Sequence, residues 1–294
     1  MYINHNQMAT NVANTLTSHY GNLQTSTQRL SSGLRVNSAA DDAAGLAIRE
    51  LMRTDIAALQ QGVRNANDAI SLIQTADGAL GVIDEKLTRM KELAEQAATG
   101  TYDSTQRLMI ESEYQAMASE ITRIANSTDF NGIHLLNGNL SSSVHSGTAM
   151  TSTGKMKIHF GTANDSAEDY YYIQIGTSTA SALGVGNQAD ANSKAYTVST
   201  QAAAQKALVG LTDAVVSKDK IRAHLGALQN RLENTISNLT TQAENLQAAE
   251  SRISDVDVAT EMTQFVRNQI LTQSSVAMLS QANSMQQMAM QLIG

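Results

Sequence analysis

DAAGLAIRELMRTDIAALQQGVRNANDAISLIQTADGALGVIDEKLTRMKELAEQAA, the stretch from Asp42 to Ala98, decides the fold. Its apolar positions Met52, Ile56, Leu59, Val63, Ala66, Ile70, Ile73, Leu80, Leu87, Met90 and Ala94 advance by threes, fours and sevens. That spacing places them on one face of a single helix, roughly 80 Å long at 1.5 Å per residue. Thr99-Gly100-Thr101 is expected to end the helix, with Gly100 as a left-handed C-cap.

A second helix is expected over about 104–126, with Ser104 as N-cap and Ile110, Tyr114, Met117, Ile121 and Ile124 on one face. Asn126–Gly132 reads as a turn. From about 130 to 197 Gly, Ser, Thr and Asn increase, and Lys155–Phe160 and Tyr170–Ile175 read as two strands joined through the polar stretch Gly161–Asp169. The helical repeat resumes near Thr200 and continues through Leu225, Leu228, Leu232, Leu239, Leu246 and Ile253.

Both ends of the chain are uncharged. No Lys, Arg, Asp or Glu precedes Arg29 or follows Arg267. Tyr2, Ala9, Leu16, Leu23 and Leu30 recur every seventh residue, as do Leu271, Met278, Met285 and Leu292. Each set is an apolar stripe that needs a partner stripe. The two ends are therefore expected to pair with each other. Rich in Gln, Asn, Ser, Thr and Ala, they bury too little apolar area to order by themselves, so folding on association is expected.

Composition agrees with long helices. The chain has no Pro, Cys or Trp and only three Phe, where about fifteen Pro would be usual at ~5%. Missing Pro removes the commonest helix breaker, and missing large aromatics favours thin helical packing over a thick core. A net charge of −7 gives no basic stripe for nucleic acid. There is no apolar run of about 18 residues to span a membrane, and the opening MYINHNQMAT lacks the parts of a cleaved signal peptide. The class is mainly α: a long antiparallel helical bundle or coiled coil, with a small β-hairpin region between its N- and C-terminal helical halves. The expected organisation is 1–44 with 252–294 as paired terminal helices, and 45–251 as a helical rod with helices at about 45–98, 104–126 and 200–251 and no large outer domain.

Several stretches carry a family resemblance. Arg29–Ile48 (RLSSGLRVNSAADDAAGLAI) resembles the N-terminal signature of bacterial flagellin, and Ile3-Asn4-His5-Asn6 with Ala9 and Asn11 is similar to the family's start. Ser251–Asp257 with Ala259-Thr260-Glu261, and Gln281-Ala282-Asn283, are similar to its C-terminal signature. Asp129-Phe130-Asn131-Gly132 matches its turn after the second helix. One departure is Gln286, where similar C-termini often carry Pro, so the last helix is expected to continue unbent.

The resemblance implies a structural subunit that polymerises with copies of itself. Paired termini would form an inner layer around a channel, and the rod would form the layer outside it. It further implies extracellular localisation, export without a cleaved signal peptide, and an export chaperone, a filament cap and hook-junction proteins as partners. It implies no cofactor, nucleic acid or membrane. Leu16, Leu23, Leu30, Leu271, Met278, Met285 and Leu292 become the inner assembly residues, and Asn37, Asp41 and Asp42 belong to the spoke between the layers. Arg89, Leu93 and Glu113 match the surface bound by a flagellin-sensing Toll-like receptor, although Thr88 replaces a common Gln.

Each assignment has a plainer reading. Asp41-Asp42 reads as a helix N-cap, since no His or second carboxylate cluster adjoins it. The six His show no metal-ligand spacing, and His5 and His19 read as helix contacts, with a pH-dependent filament as the sharper alternative for His19. Met278, Met285, Met288 and Met290 read as flexible packing. Thr88–Leu93 reads as a solvent-facing helix edge. Exposed Ser/Thr in Ser141–Thr153 offers hydroxyls for O-linked sugars. No nucleophile elbow, phosphate loop or metal motif supports an enzyme. A hook–filament junction protein is the alternative function, and a membrane-active translocator would need an apolar hairpin that is absent.

Overall fold

The structure is a computed structural model that describes residues 6–146, 153–166 and 168–291. Among these, six helices and six short strands follow the order α1 (Gln7–Ser32), α2 (Ala43–Ala98), α3 (Ser104–Ser127), β1 (Asp129–Phe130), β2 (Ile133–His134), β3 (His145–Ser146), β4 (Thr153–Gly154), β5 (Met156–His159), β6 (Tyr170–Ile173), α4 (Ala180–Leu183), α5 (Gln201–Ser254) and α6 (Val258–Gln291). The chain divides into two compact units, Met1–Ile56 with Ala243–Gly294, and Ala57–Gln242.

In the unit 57–242, α2 buries Ala66, Ala69, Ile73, Ala76, Leu80, Ile83, Leu87, Met90, Ala94 and Ala97 along the expected stripe. The matching stripe of α5 is Ala204, Ala207, Leu211, Ala214, Leu225 and Leu232. Lys218 interrupts the α5 stripe at a buried position; its Nζ donates to Asp84 at 2.6 Å and lies 2.8 Å from Asp219. Arg222 donates to both carboxylate oxygens of Asp77. Lys218 meets Asp84 while Gln201 meets Ala98, so α2 and α5 run antiparallel.

The first helical boundary after α2 differs from expectation. Gly100 is not left-handed. The end carbonyls of α2 are taken by side chains instead: Arg107 donates to Ala97 and Thr99, and Gln201 to Ala98. With those acceptors satisfied, a left-handed cap is unnecessary. The cap of α3 is Asp103 rather than Ser104, and its backbone N–H donates to Gln106 in the reciprocal manner of a capping box.

The stretch read as a turn at 126–132 is a continuation of α3 followed by a tight hairpin. Asn131 and Gly132 both have positive φ, the pattern of a two-residue type I′ turn, and Phe130 pairs with Ile133. The expected hairpin of the middle region forms with Met156 opposite Ile173 and His159 opposite Tyr170. Its inner face packs Met156, Ile158 and Tyr171 on the helical core. Its other face carries Lys155 over Tyr172 and Lys157 over Tyr170. The Phe160 carbonyl lies so close to Gly62 that a Cβ there would overlap it.

Candidate assembly surface on the terminal helices

In the other unit α1 and α6 pack as an antiparallel pair. Asn6 caps α1 through Ala9 N–H, and its Nδ2 donates to the Ala282 carbonyl at 3.2 Å. At the opposite end, Arg29 Nη1 lies 3.7 Å from Glu261. Among the less exposed positions of α1, Ala9, Val12, Leu16, His19, Leu23, Ser26 and Leu30 alternate by three and four. The expected stripe Leu16, Leu23 and Leu30 therefore lies in the seam.

On α6 the corresponding series is Glu261, Phe265, Asn268, Thr272, Ser275, Leu279, Ala282 and Gln286. This is one residue out of step with the sequence stripe. Leu271, Met278 and Met285 are exposed beside the seam rather than within it, while Leu292, like Tyr2 to His5, lies outside the described residues. A shift of one residue turns a helix by about 100°. The cause is that α6 is apolar on several sides, so its seven-residue spacing fits more than one face. The pairing face is instead the polar and small one.

The consequence is an inverted pattern. Ser26, Thr272, Ser275 and Glu261 are buried, while Met8, Tyr20, Val258, Met262, Val266, Ile270, Leu271, Val276, Met278, Met285 and Met288 are exposed. So many exposed large apolar side chains on one helix pair mark an interaction surface. Polar atoms in the seam are incompletely satisfied: His19 Nδ1 and Arg29 Nε are buried without a hydrogen-bond partner among the described residues. A polar cleft lined by Asn22, Arg29, Glu261, Gln264 and Arg267 opens beside them.

The spoke residues lie where the two chain segments meet next to this pair. Gly33, with φ +73°, ends α1. Its carbonyl accepts from Val256, Arg35 N–H donates to Ser254, and Arg35 Nη2 donates to Ile253. Asn37 Nδ2 donates to Ser32 and to the Gln28 carbonyl. Asp41 accepts from the backbone and hydroxyl of Ser38 and the backbone of Asn37, and these bonds hold its carboxyl below the usual range. Asp42 accepts from Gly45 N–H at the start of α2, as its N-cap reading requires.

Three contributors were not singled out in sequence. Buried Arg49 donates to the Val36 carbonyl at 2.8 Å, fixing the return of the chain. Arg35 bridges to α5, as above. Asp257 starts α6 by accepting from Thr260 Oγ1 and from the Thr260 and Ala259 backbones, which lowers its pKa. Only Asp257 had a local signal, an acidic residue just ahead of an apolar helix.

On the other unit, Arg89 of α2 donates through Nε and Nη2 to one carboxylate oxygen of Glu113 on α3, at 3.0 and 2.8 Å, and through Nη1 to Glu92. Arg89 and Glu113 are thus joined on an exposed surface. Leu93 is not on it. Only 1% exposed, it turns inward with Met90 and Ala94, so Thr88–Leu93 is not wholly a solvent-facing edge: positions 90, 93 and 94 belong to the core stripe.

Comparison with known proteins places the chain among relatives. The model of the bacterial flagellin N-terminal helical region matches residues 3–141, and that of the bacterial flagellin C-terminal helical region matches residues 208–293. The chain is 41% identical over 293 residues to the flagellar filament 33 kDa core protein of Treponema phagedenis, with 100% of both chains covered. It is 43% identical over 310 residues to a flagellin of Bacillus subtilis (strain 168), again with 100% of both covered. A structure described as a flagellar hook-associated protein from Vibrio parahaemolyticus shares the fold at a TM-score of 0.55 and 13% identity, covering 73% of this chain and all of that one. Matched along both helical ends and related over its full length at about two residues in five, the chain belongs to the bacterial flagellin family.

Proposed function

We propose that this protein is the structural subunit of an extracellular bacterial flagellar filament and that its terminal helices are the polymerising surface. The observation that carries the mechanism is the inverted pattern of α6, whose seam side is mainly polar and small while Ile270, Leu271, Val276, Met278, Met285 and Met288 stay exposed. A helix pair so arranged gains little from its own contact. Burial of the outer face by other copies supplies the missing hydrophobic free energy, on the order of 1.5–3 kcal/mol for each large side chain fully covered. In this reading the paired ends 1–44 and 252–294 become ordered on association and form the inner layer of the filament, with 45–251 assigned to its outer layer. Asn37, Asp41 and Asp42 hold the spoke between the layers.

The export chaperone, filament cap and hook-junction proteins are the partners that such a subunit requires. Arg89 and Glu113 are proposed as the receptor-facing pair, with Leu93 supporting them from the core. The reading is tested by adding the purified chain to short filament seeds, beside a version truncated after Arg252, and examining both by electron microscopy. Long filaments from the intact chain alone are expected. Growth of both would refute the role of the ends, and growth of neither would favour a hook–filament junction protein.

A further inference from the structure

The chain has thirteen Met and no Cys. An oxidant that reaches it finds no thiol, so thioether sulfur is its most readily oxidised sulfur. Those sulfurs are unequally placed. Met90 is fully buried, whereas Met278, Met285 and Met288 are 54%, 43% and 52% exposed on α6. Met278 stands three residues from Ser275 and four from Ala282, and Met285 three from Ala282, so these two flank the seam on its solvent side, and Met288 follows three residues on. They are thus accessible in the free subunit and sit on the face that the filament reading buries.

We propose that Met278, Met285 and Met288 form a reversible oxidation site that controls polymerisation, with hydrogen peroxide as the class of oxidant. The inference rests on the filament reading above. In each event a thioether lone pair attacks one peroxide oxygen, the O–O bond breaks, a sulfur–oxygen bond forms and water leaves. Sulfur is oxidised by two electrons and the peroxide is reduced by two. The product is a polar sulfoxide in place of a flexible apolar group. Its oxygen is a strong acceptor, and the segment after Arg267 carries no charged residue to meet it. Burying it against a neighbouring copy costs the desolvation of an unpaired polar group. Sulfurs already covered in a polymer are shielded, so the control acts on the subunit before assembly.

The test treats purified subunit with hydrogen peroxide, quenches it, maps sulfoxides by peptide mass spectrometry and measures the critical concentration for seeded growth. The expected result is a rise of at least about tenfold, reversed by the two methionine sulfoxide reductases together. The ratio of treated to untreated critical concentration is then compared among the native chain, a Met278→Leu/Met285→Leu/Met288→Leu variant and a Met109→Leu variant. Met109 is an exposed methionine of α3. A ratio near one for the triple variant, with Met109→Leu behaving as native, supports the site. Unimpaired growth of oxidised native subunit, failure of the reductases to restore it, or equal sensitivity of the triple variant would overturn it. If the triple variant does not grow even untreated, reductase rescue of the native chain decides. Failure of untreated native subunit to grow on seeds would instead refute the filament reading, and this proposal with it.

Discussion

Arg29 Nη1 lies 3.7 Å from the Glu261 carboxylate, joining the single charge of α1 to the single acid of α6. Glu261 is 6% exposed, although the pair lies near one end of an otherwise uncharged seam. Its placement suits a register marker more than a source of stability, because a pair this long with Arg29 partly solvated gains about 1 kcal/mol at most.

A double-mutant cycle separates the two roles. Arg29→Ala and Glu261→Ala should each weaken the terminal pair, with a coupling of about 1 kcal/mol or less in chemical denaturation of the polymer. Hydrogen exchange in α1 and α6 should accelerate more for Arg29→Ala, which leaves the buried Glu261 carboxylate without its cation. Equal exchange for both variants would argue against a marker role.

The receptor-facing assignment makes Arg89 and Leu93 separable. Leu93→Ala opens a cavity under α2 and should lower stability by roughly 2–5 kcal/mol. Arg89→Ala removes exposed, solvent-screened ion pairs only, so unfolding should hardly change. Receptor activation by soluble subunit should fall for Arg89→Ala with thermal unfolding unchanged. A loss confined to Leu93→Ala, in proportion to unfolding, would remove the surface from consideration.

Two glycines of one helix should respond oppositely to alanine. At Gly62 the added methyl meets the Phe160 carbonyl, and backbone cannot move aside as a side-chain end can. A loss of about 1–3 kcal/mol, and a Tm lower by several degrees, is expected. Nothing lies within 4 Å of a methyl at Gly78. Gly78→Ala should therefore stabilise α2 by about 0.5–1 kcal/mol through helix propensity. Thermal unfolding followed by circular dichroism measures both.

Acid sensitivity should arise in part at Asp77. Its pKa is lowered, first by the hydrogen bonds from Arg222 and then by that residue's charge. A depressed carboxylate stabilises above its unfolded pKa, near 3.8, and loses that contribution as pH falls through the lower folded value. The unfolding temperature of the native chain should therefore fall on acidification from about pH 5 downward. Asp77→Asn should show a shallower fall, with a small offset at neutral pH because the pair is solvent-screened. Asp41 and Asp257 have the same sign, so some pH dependence should persist in the variant.

Much of this protein is determined by sequence because its signals are local and periodic. The run from Asp42 to Ala98 specifies α2, since a three–four alternation fits only a helix. Asp42 specifies its own cap through a hydrogen bond three residues away. Ala9, Leu16, Leu23 and Leu30 specify the seam side of α1 because the rest of that helix is largely polar. Tertiary structure decided what periodicity could not. On α6, Leu271, Met278 and Met285 are as regularly spaced as Thr272, Leu279 and Gln286, and apolar groups occur on several sides. The bonds of Asn6 to Ala282, Arg35 to Ser254 and Gly33 to Val256, with Arg29 against Glu261, set its rotation. These contacts link residues more than two hundred positions apart. They turn the polar face inward and leave the methionines outside, because a pairing chosen by long-range hydrogen bonds need not use the most apolar face.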